Sequence, residues 1–140
     1  MGGFKTYSKE LPLASSEARE LIDITSQVAD AVKESGVAEG IAVVCSKHTT
    51  AAIIVNEDEP GLFNDILTKI AEDFPRRGTW RHNLIDDNAH SHLAAAYLGP
   101  SVTIPVVEGS PSLGQWQSIF FVELDGPRPS RRVVVQVMGE

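Results

Sequence analysis

Residues 40–55 read GIAVVCSKHTTAAIIV. Two short runs rich in β-branched residues, 40–45 and 51–55, flank the polar segment SKHTT. Runs of this length and composition read as buried strands. SKHTT is then either the turn of a hairpin or a break in one long strand where His48 points outward. That choice decides how the sheet is built.

The segments on either side carry helix signals. Downstream, Pro60 suits a first helical turn, with Asp58 or Glu59 before it as cap and dipole partner. Leu62, Phe63, Ile66, Leu67, Ile70 and Phe74 form an apolar stripe, and Pro75 stops it. Upstream, Val28, Ala31 and Val32 recur at helical spacing over residues 25–35, with Thr25 or Ser26 as cap and Gly36 as a left-handed end. Asn88 is a good cap for a third helix that runs through His92 to Leu98 and closes at Gly99-Pro100. Residues 4–13 suit an edge strand ended near Pro12, and 101–107 a strand whose Pro105 favours an edge or a bulge. Residues 115–124 (QWQSIFFVEL) and 131–138 (RRVVVQVM) are expected strands of a hairpin joined by DGPRPS. Strands with separate helices and no regular βαβ alternation predict an α+β fold, mainly antiparallel, with about three helices. Residues 1–140 read as one domain without internal repeats.

The net charge of −7 argues against a nucleic-acid partner, which needs a basic surface. A small anionic substrate stays compatible, since local basic residues act against the global sign. Cys45 is the only cysteine, so no intrachain disulfide forms. The start, MGGFKTYSKELPL, lacks the apolar core of a signal peptide, and no stretch approaches the roughly 18 apolar residues of a membrane span. A cytoplasmic location and no membrane partner are expected.

Residues 80–99, WRHNLIDDNAHSHLAAAYLG, hold His82, His90 and His92, with Asp86, Asp87 and Asn88 between them. His48 is the fourth and last histidine. Imidazole suits zinc and several other divalent metals, and three protein ligands with an open position make a catalytic site. On a regular helix His90 and His92 lie about 200° apart, so only one of them faces inward. His92, deeper in the apolar run, is the better candidate. The provisional ligand set is therefore His48, His82 and His92, with His90 as an outer partner. Four surface or capping histidines fit the same residues, because no spacing here is as specific as HExxH.

Asp86 and Asp87 read either as loop carboxylates or as groups that orient a histidine or act as a base. Asn56 and Glu57, at a strand end beside Pro60, are placed to reach the same cleft, although helix-dipole complementation is the plainer reading of Glu57 and Asp58. Cys45 reads as a core residue. Trp116, near Gly114 at a strand start, reads more readily as packing than as a ligand platform. Arg128, Arg131 and Arg132 suit either a phosphate held by guanidinium forks or edge-strand charges that block aggregation.

The order of motifs resembles one family. Lys47-His48-Thr49-Thr50-Ala51-Ala52, Asn56-Glu57, Arg81-His82-Asn83, Asn88-Ala89-His90-Ser91-His92 and Leu98-Gly99-Pro100-Ser101 are similar to the YjbQ-like family. Ile104-Pro105, Gly109, Leu113-Gly114-Gln115-Trp116-Gln117 and Glu123-Leu124-Asp125-Gly126-Pro127-Arg128 continue the likeness over nearly the whole chain. It implies an α+β fold and assembly as a homotrimer. Members are named secondary thiamine-phosphate synthases, which join hydroxymethylpyrimidine diphosphate to a thiazole phosphate, a side activity of some members rather than a settled role. The resemblance implies a divalent metal, zinc by preference, on His48, His82 and His92. His90 matches a position where the family also takes other residues. Asp86-Asp87-Asn88 stands where the family often has Asp-Gly-Asn.

On the enzyme reading, Asp86, Glu57 and His90 are the expected catalytic groups. Thr49, Thr50, Asn56, Asn88, Trp116, Gln117 and Arg128 are the expected contacts to a small phosphorylated substrate. A metal-dependent hydrolase of a small phosphorylated or ester substrate is a close rival, and a non-catalytic metal- or metabolite-binding oligomer is another. Residues 133–137 are the expected exposed apolar edge for assembly.

Overall fold

Among residues 3–140, described by a computed structural model, every strand pairing is antiparallel, and the strands divide between two sheets. The elements run β1 (Lys5–Leu13), β2 (Glu20–Asp23), α1 (Thr25–Ser35), β3 (Gly40–Ser46), β4 (Ala51–Asn56) and α2 (Pro60–Asp73). A 3-10 turn at Arg81–Leu84 precedes α3 (Ala89–Leu98), β5 (Ser101–Val107), β6 (Ser110–Pro111), β7 (Ser118–Glu123) and β8 (Arg131–Gly139). One sheet has the order β1-β8-β3-β5-β6 and the other β2-β7-β4. This is the expected α+β class with three helices.

β7 explains the layering. Its residues 119–123 are all buried, because each face of the strand meets a different layer. Ile119 and Phe121 join Val28, Ala31 and Val32 of α1 and Val44, Val133 and Val135 of the larger sheet in one core. Phe120 and Val122 point the other way, into a second core with Ile70 of α2 and Ala94 and Ala95 of α3. Phe63 packs edge-on against Phe120 with ring centroids 5.2 Å apart. The small sheet is thus the middle layer, and α2 and α3 cover it.

Several expectations change here. β3 and β4 are neither a hairpin nor one strand, because β3 pairs with β5 and β8 while β4 pairs with β7 in the other sheet. β7 and β8 do not form a hairpin for the same reason. Residues 133–137 are no exposed edge. β8 is flanked by β1 and β3, and Val133, Val135 and Val137 are fully buried. Cys45 lies half-buried on the outer face of the larger sheet beside Ile41 and Val43, while Val44 takes the core position. Pro105 sits in β5 next to the two-residue β6, close to the edge it favours.

The caps follow local chemistry. The Glu59 carboxylate accepts from the N–H groups of Gly61 and Leu62 at 2.6 and 2.9 Å, as expected for α2. For α1 the work falls to Asp23, whose Oδ1 accepts from the N–H and hydroxyl of Thr25. Gly36 ends that helix at φ 72°. Of the α2 stripe only Ile70 is buried. Leu62, Ile66, Phe74 and Leu98 line a cavity of about 380 Å³ along the helix.

Gly126 turns the chain from one sheet toward the other, and its N–H donates to Ala18 O at 3.0 Å. A Cβ there would overlap Glu17 O and crowd Glu123 Cγ at 2.8 Å. Gly126→Ala is therefore expected to cost about 1–3 kcal/mol through overpacking, read as a lower urea midpoint. An unchanged midpoint would mean that the turn yields freely.

Candidate functional site

His82 comes from the 3-10 turn and His92 from the first turns of α3. Asn88 occupies the cap position of α3 without capping it. Asn83 caps instead, its Oδ1 accepting from Ala89 N–H at 3.2 Å. The Asn88 side chain is thereby free to form a bridge. Its Nδ2 donates to Asp125 Oδ2 at 2.9 Å, which turns its Oδ1 toward His82 Nε2 at 3.1 Å. The oxygen accepts, so the hydrogen-bond network assigns the His82 proton to Nε2 and leaves the Nδ1 lone pair free. Arg128 anchors the far end, with one N–H to Asp125 Oδ2 at 2.8 Å and Nε–H to Asp125 O at 2.9 Å. The His92 ring meets the His82 ring edge-on, at a centroid distance of 4.7 Å and an interplanar angle of 74°.

His92 lies between two cavities. One, of about 350 Å³, is lined by Trp80, Arg81, His82, Ala89, His92 and Leu93. The other, of about 310 Å³, holds His92 together with His48 and Thr49. His48 Nε2 accepts from the Arg132 backbone N–H at 2.8 Å, so its proton is on Nδ1 and no lone pair is spare. Burial lowers the His48 pKa, and Arg131, Arg132 and Arg128 lower it further against the pull of Glu123. His90, only 7% exposed, points into the interior on the other side of α3, as the helical angle requires. Its Nε2 lies 3.3 Å from Ser91 Oγ, and its buried Nδ1 has no partner. Burial lowers its pKa, helped by Arg19 and Arg76.

The sequence matches the family described as UPF0047 protein YjbQ-like over residues 9–140. The chain belongs to this family. A UPF0047 protein of Methanothermobacter thermautotrophicus is 50% identical over 97% of this chain and 94% of its own length. One from Archaeoglobus fulgidus is 43% identical, over 92% and 99% respectively. A crystal structure of a YbjQ-like protein of unknown function from Sulfolobus solfataricus superposes with a TM-score of 0.97 at 48% identity, covering 99% of this chain and 100% of that one.

For a UPF0047 chain with a divalent ion in view, the donor chemistry is the test. His82 Nδ1 offers a lone pair, the His92 imidazole lies beside it, and Asp86 is close by. The Asp86 carboxyl is held below its usual range because Asp87 N–H donates to it at 2.8 Å, with both imidazoles adding to the effect. Two imidazoles and a carboxylate suit zinc or a similar ion. Among the described residues, no three His, Cys, Asp or Glu side chains already stand together as a complete set within one chain.

The UPF0047 chain separates the remaining expected site residues. Ala51 pairs with Glu123 at one end of β4 and β7, and Asn56 pairs with Ser118 at the other. Five residues of strand, about 17 Å, therefore divide His48 and Asp125 from Asn56, Glu57, Trp116 and Gln117. Glu57 and Trp116 line a separate cavity of about 360 Å³ with Asp58, Glu59, Gln115 and Ser118. The single cleft expected for Asn56 and Glu57 is thus split in one chain, because both sit where β4 leaves the sheet. Trp116 is 67% exposed, which corrects its reading as packing. Gln117 Oε1 accepts from Gly114 N–H at 2.8 Å.

The sequence reading also missed the polar centre of the molecule. Arg131 Nε donates to Glu123 Oε1 at 2.9 Å, and its NH2 group reaches Glu123 Oε2 and, at 3.0 Å, Thr50 Oγ1. Ser15 Oγ donates to Glu123 Oε1 at 2.6 Å. Thr50 is therefore engaged in structure, and the arginines read as phosphate forks or edge charges are already bound to carboxylates. An acid closing the apolar run IFFVE and a base opening RRVVVQVM were the available signal.

Proposed function

We propose that this UPF0047 chain is a small-molecule enzyme centred on His82 and His92, acting on a phosphorylated substrate with a divalent ion, preferably zinc. The observation that carries the reading is the Arg128–Asp125–Asn88–His82 chain, which orients one imidazole against a second at the mouth of a cavity. Orienting partners of this kind are expected around a working imidazole rather than around a surface one. His82 and His92 would hold the ion, with Asp86 as third donor; the third histidine expected from the sequence, His48, has its one lone pair engaged by Arg132 N–H. When bound, the ion would polarise a phosphate or activate a water. The protein's own groups do the rest. The bridging amide holds the His82 proton at Nε2, Asp86 accepts a proton beside the pair, and Thr49 and Asn88 border the substrate.

The finer reading is thiamine-phosphate synthesis, in which diphosphate leaves the pyrimidine methylene as the thiazole nitrogen attacks. Catalysis would then rest mainly on stabilising leaving-group charge. Asn56, Glu57, Trp116 and Gln117 join this site only across a subunit boundary, in the homotrimer that the resemblance implies. The outer face of the larger sheet, with Ile41, Val43 and Met138, is the surface for that assembly. The proposed setting is cytoplasmic; no helix among the described residues is long and apolar enough to cross a membrane. One observation favours a second reading, a metal that ties subunits together without turnover: among the described residues, a single chain gathers no complete donor set.

Elemental analysis of the purified protein, its solution mass, and turnover assays with the pyrimidine diphosphate and thiazole phosphate test the proposal together. About one divalent ion per chain in a threefold assembly that forms product is expected. An ion with no product from any phosphorylated substrate would favour the second reading, and neither ion nor product would end both.

A further inference from the structure

We propose that Arg77 and Arg81, with Arg76 beside them, form the subsite for the substrate's phosphate groups, a placement that rests on the small-molecule reading above. The arginines that follow β7 are committed elsewhere or lie outside the two cavities that Arg77 and Arg81 line. Arg128 is held by Asp125 at 2.8 Å and Arg131 is buried on Glu123, while Arg132, in a loose exposed pair with Glu10 at 3.6 Å, lines neither cavity. Arg77 and Arg81 make no ion pair among the described residues.

The loop between α2 and α3, PRRGTWR, carries three arginines in seven positions of a chain whose net charge is −7. Arg76 and Arg77 line a cavity of about 530 Å³ with Asn83. Arg81 lines the cavity that holds His82 and His92. Of the consecutive residues Arg81, His82 and Asn83, the first two line one cavity and the third lines the other, so a ligand bound across them would place its anionic groups on guanidinium forks and its reacting end at the imidazoles.

Asp86 and Asp87 share the larger cavity and set a limit on its positive charge. Arg76 pairs with Asp87 at 3.2 Å, but both side chains are well exposed, so an anion displaces the carboxylate at little cost. The loop is also held in shape. Trp80 Nε1–H donates to Pro75 O at 3.2 Å, and the indole lies so close to Gly78 that a Cβ there would stand 2.8 Å from Nε1. Such preorganisation lowers the ordering cost of binding.

Calorimetric titration of inorganic pyrophosphate into the full-length protein is the test. Wild type is expected to bind, and Arg77→Ala/Arg81→Ala to bind about tenfold more weakly or worse. Lys69→Ala, at an exposed cation of α2 that lines neither of these two cavities, is expected to bind as wild type. The same loss in a His92→Ala background assigns it to the guanidinium groups rather than to a metal. Unchanged binding in the double variant, absence of binding in wild type, or loss on Arg128→Ala alone would overturn the subsite. Arginine-dependent binding without turnover would sink only the enzyme reading.

Discussion

Replacing Arg131 with methionine is expected to cost about 3–5 kcal/mol of folding stability, because it leaves Glu123 as a buried charge without a counter-ion. Both side chains are nearly or fully buried, and they join the end of β7 in one sheet to the start of β8 in the other. Burial by itself would raise the Glu123 pKa. The bonds from Arg131, Ser15 Oγ and the Asp125 N–H outweigh it, and the net shift is downward. A depressed carboxylate stabilises the fold above its unfolded pKa, and that contribution is lost as pH falls through the folded value.

In Arg131→Met the direction reverses. Burial then raises the Glu123 pKa, so mild acid recovers part of the loss as the carboxyl takes up a proton. The double variant Arg131→Met/Glu123→Leu removes both charges and is expected to be much closer to wild type than the single. Urea midpoints at neutral and mildly acidic pH measure all three effects. A single variant within about 1 kcal/mol of wild type at neutral pH would show that water reaches Glu123.

The second large effect belongs to the histidine pair. On the proposed metal-dependent enzyme reading, His92→Ala is expected to lower turnover about 100-fold or more and to abolish ion binding, since an imidazole that moves protons or holds an ion contributes on that scale. Asn88→Ala should act through His82 alone. It removes the amide between Asp125 and His82, frees the imidazole tautomer, and is expected to cost about 10–100-fold in ion affinity or activity with the fold retained. Ion content and kcat measured on both variants give the answer. Full activity in His92→Ala would remove the pair from the chemistry, and an Asn88→Ala protein with wild-type ion affinity would reduce the bridge to a structural detail.

The residues differ in how much of this was legible beforehand. The bounds of α2 follow from Pro60, the Glu59 cap and the terminating Pro75, all local. The end of α1 follows from Gly36, and the inward-outward split of His90 and His92 from helical geometry alone. Asn88 was recognised as a helix start, yet its side chain serves His82 and Asp125 while Asn83 takes the cap. Such an exchange leaves the helix bounds unchanged and so leaves no trace in periodicity. Asp125 was quoted only as part of a motif, because its partners are decided by the turn at Gly126 and by a side chain 37 residues away in sequence.

By itself, then, the sequence determined the helices, the longer strand segments but not the short β2 and β6, the antiparallel α+β class and the clustering of histidines, since each depends on spacings within a few residues. Only the tertiary structure decided which sheet each strand enters, that β3 and β4 part company at His48, that β7 and β8 do not pair, and that Asn56 and Trp116 lie far from His82 in one chain. A strand's alternation says which face is buried, whereas its backbone hydrogen bonds are alike for every partner. The choice among partners is made by the whole core at once.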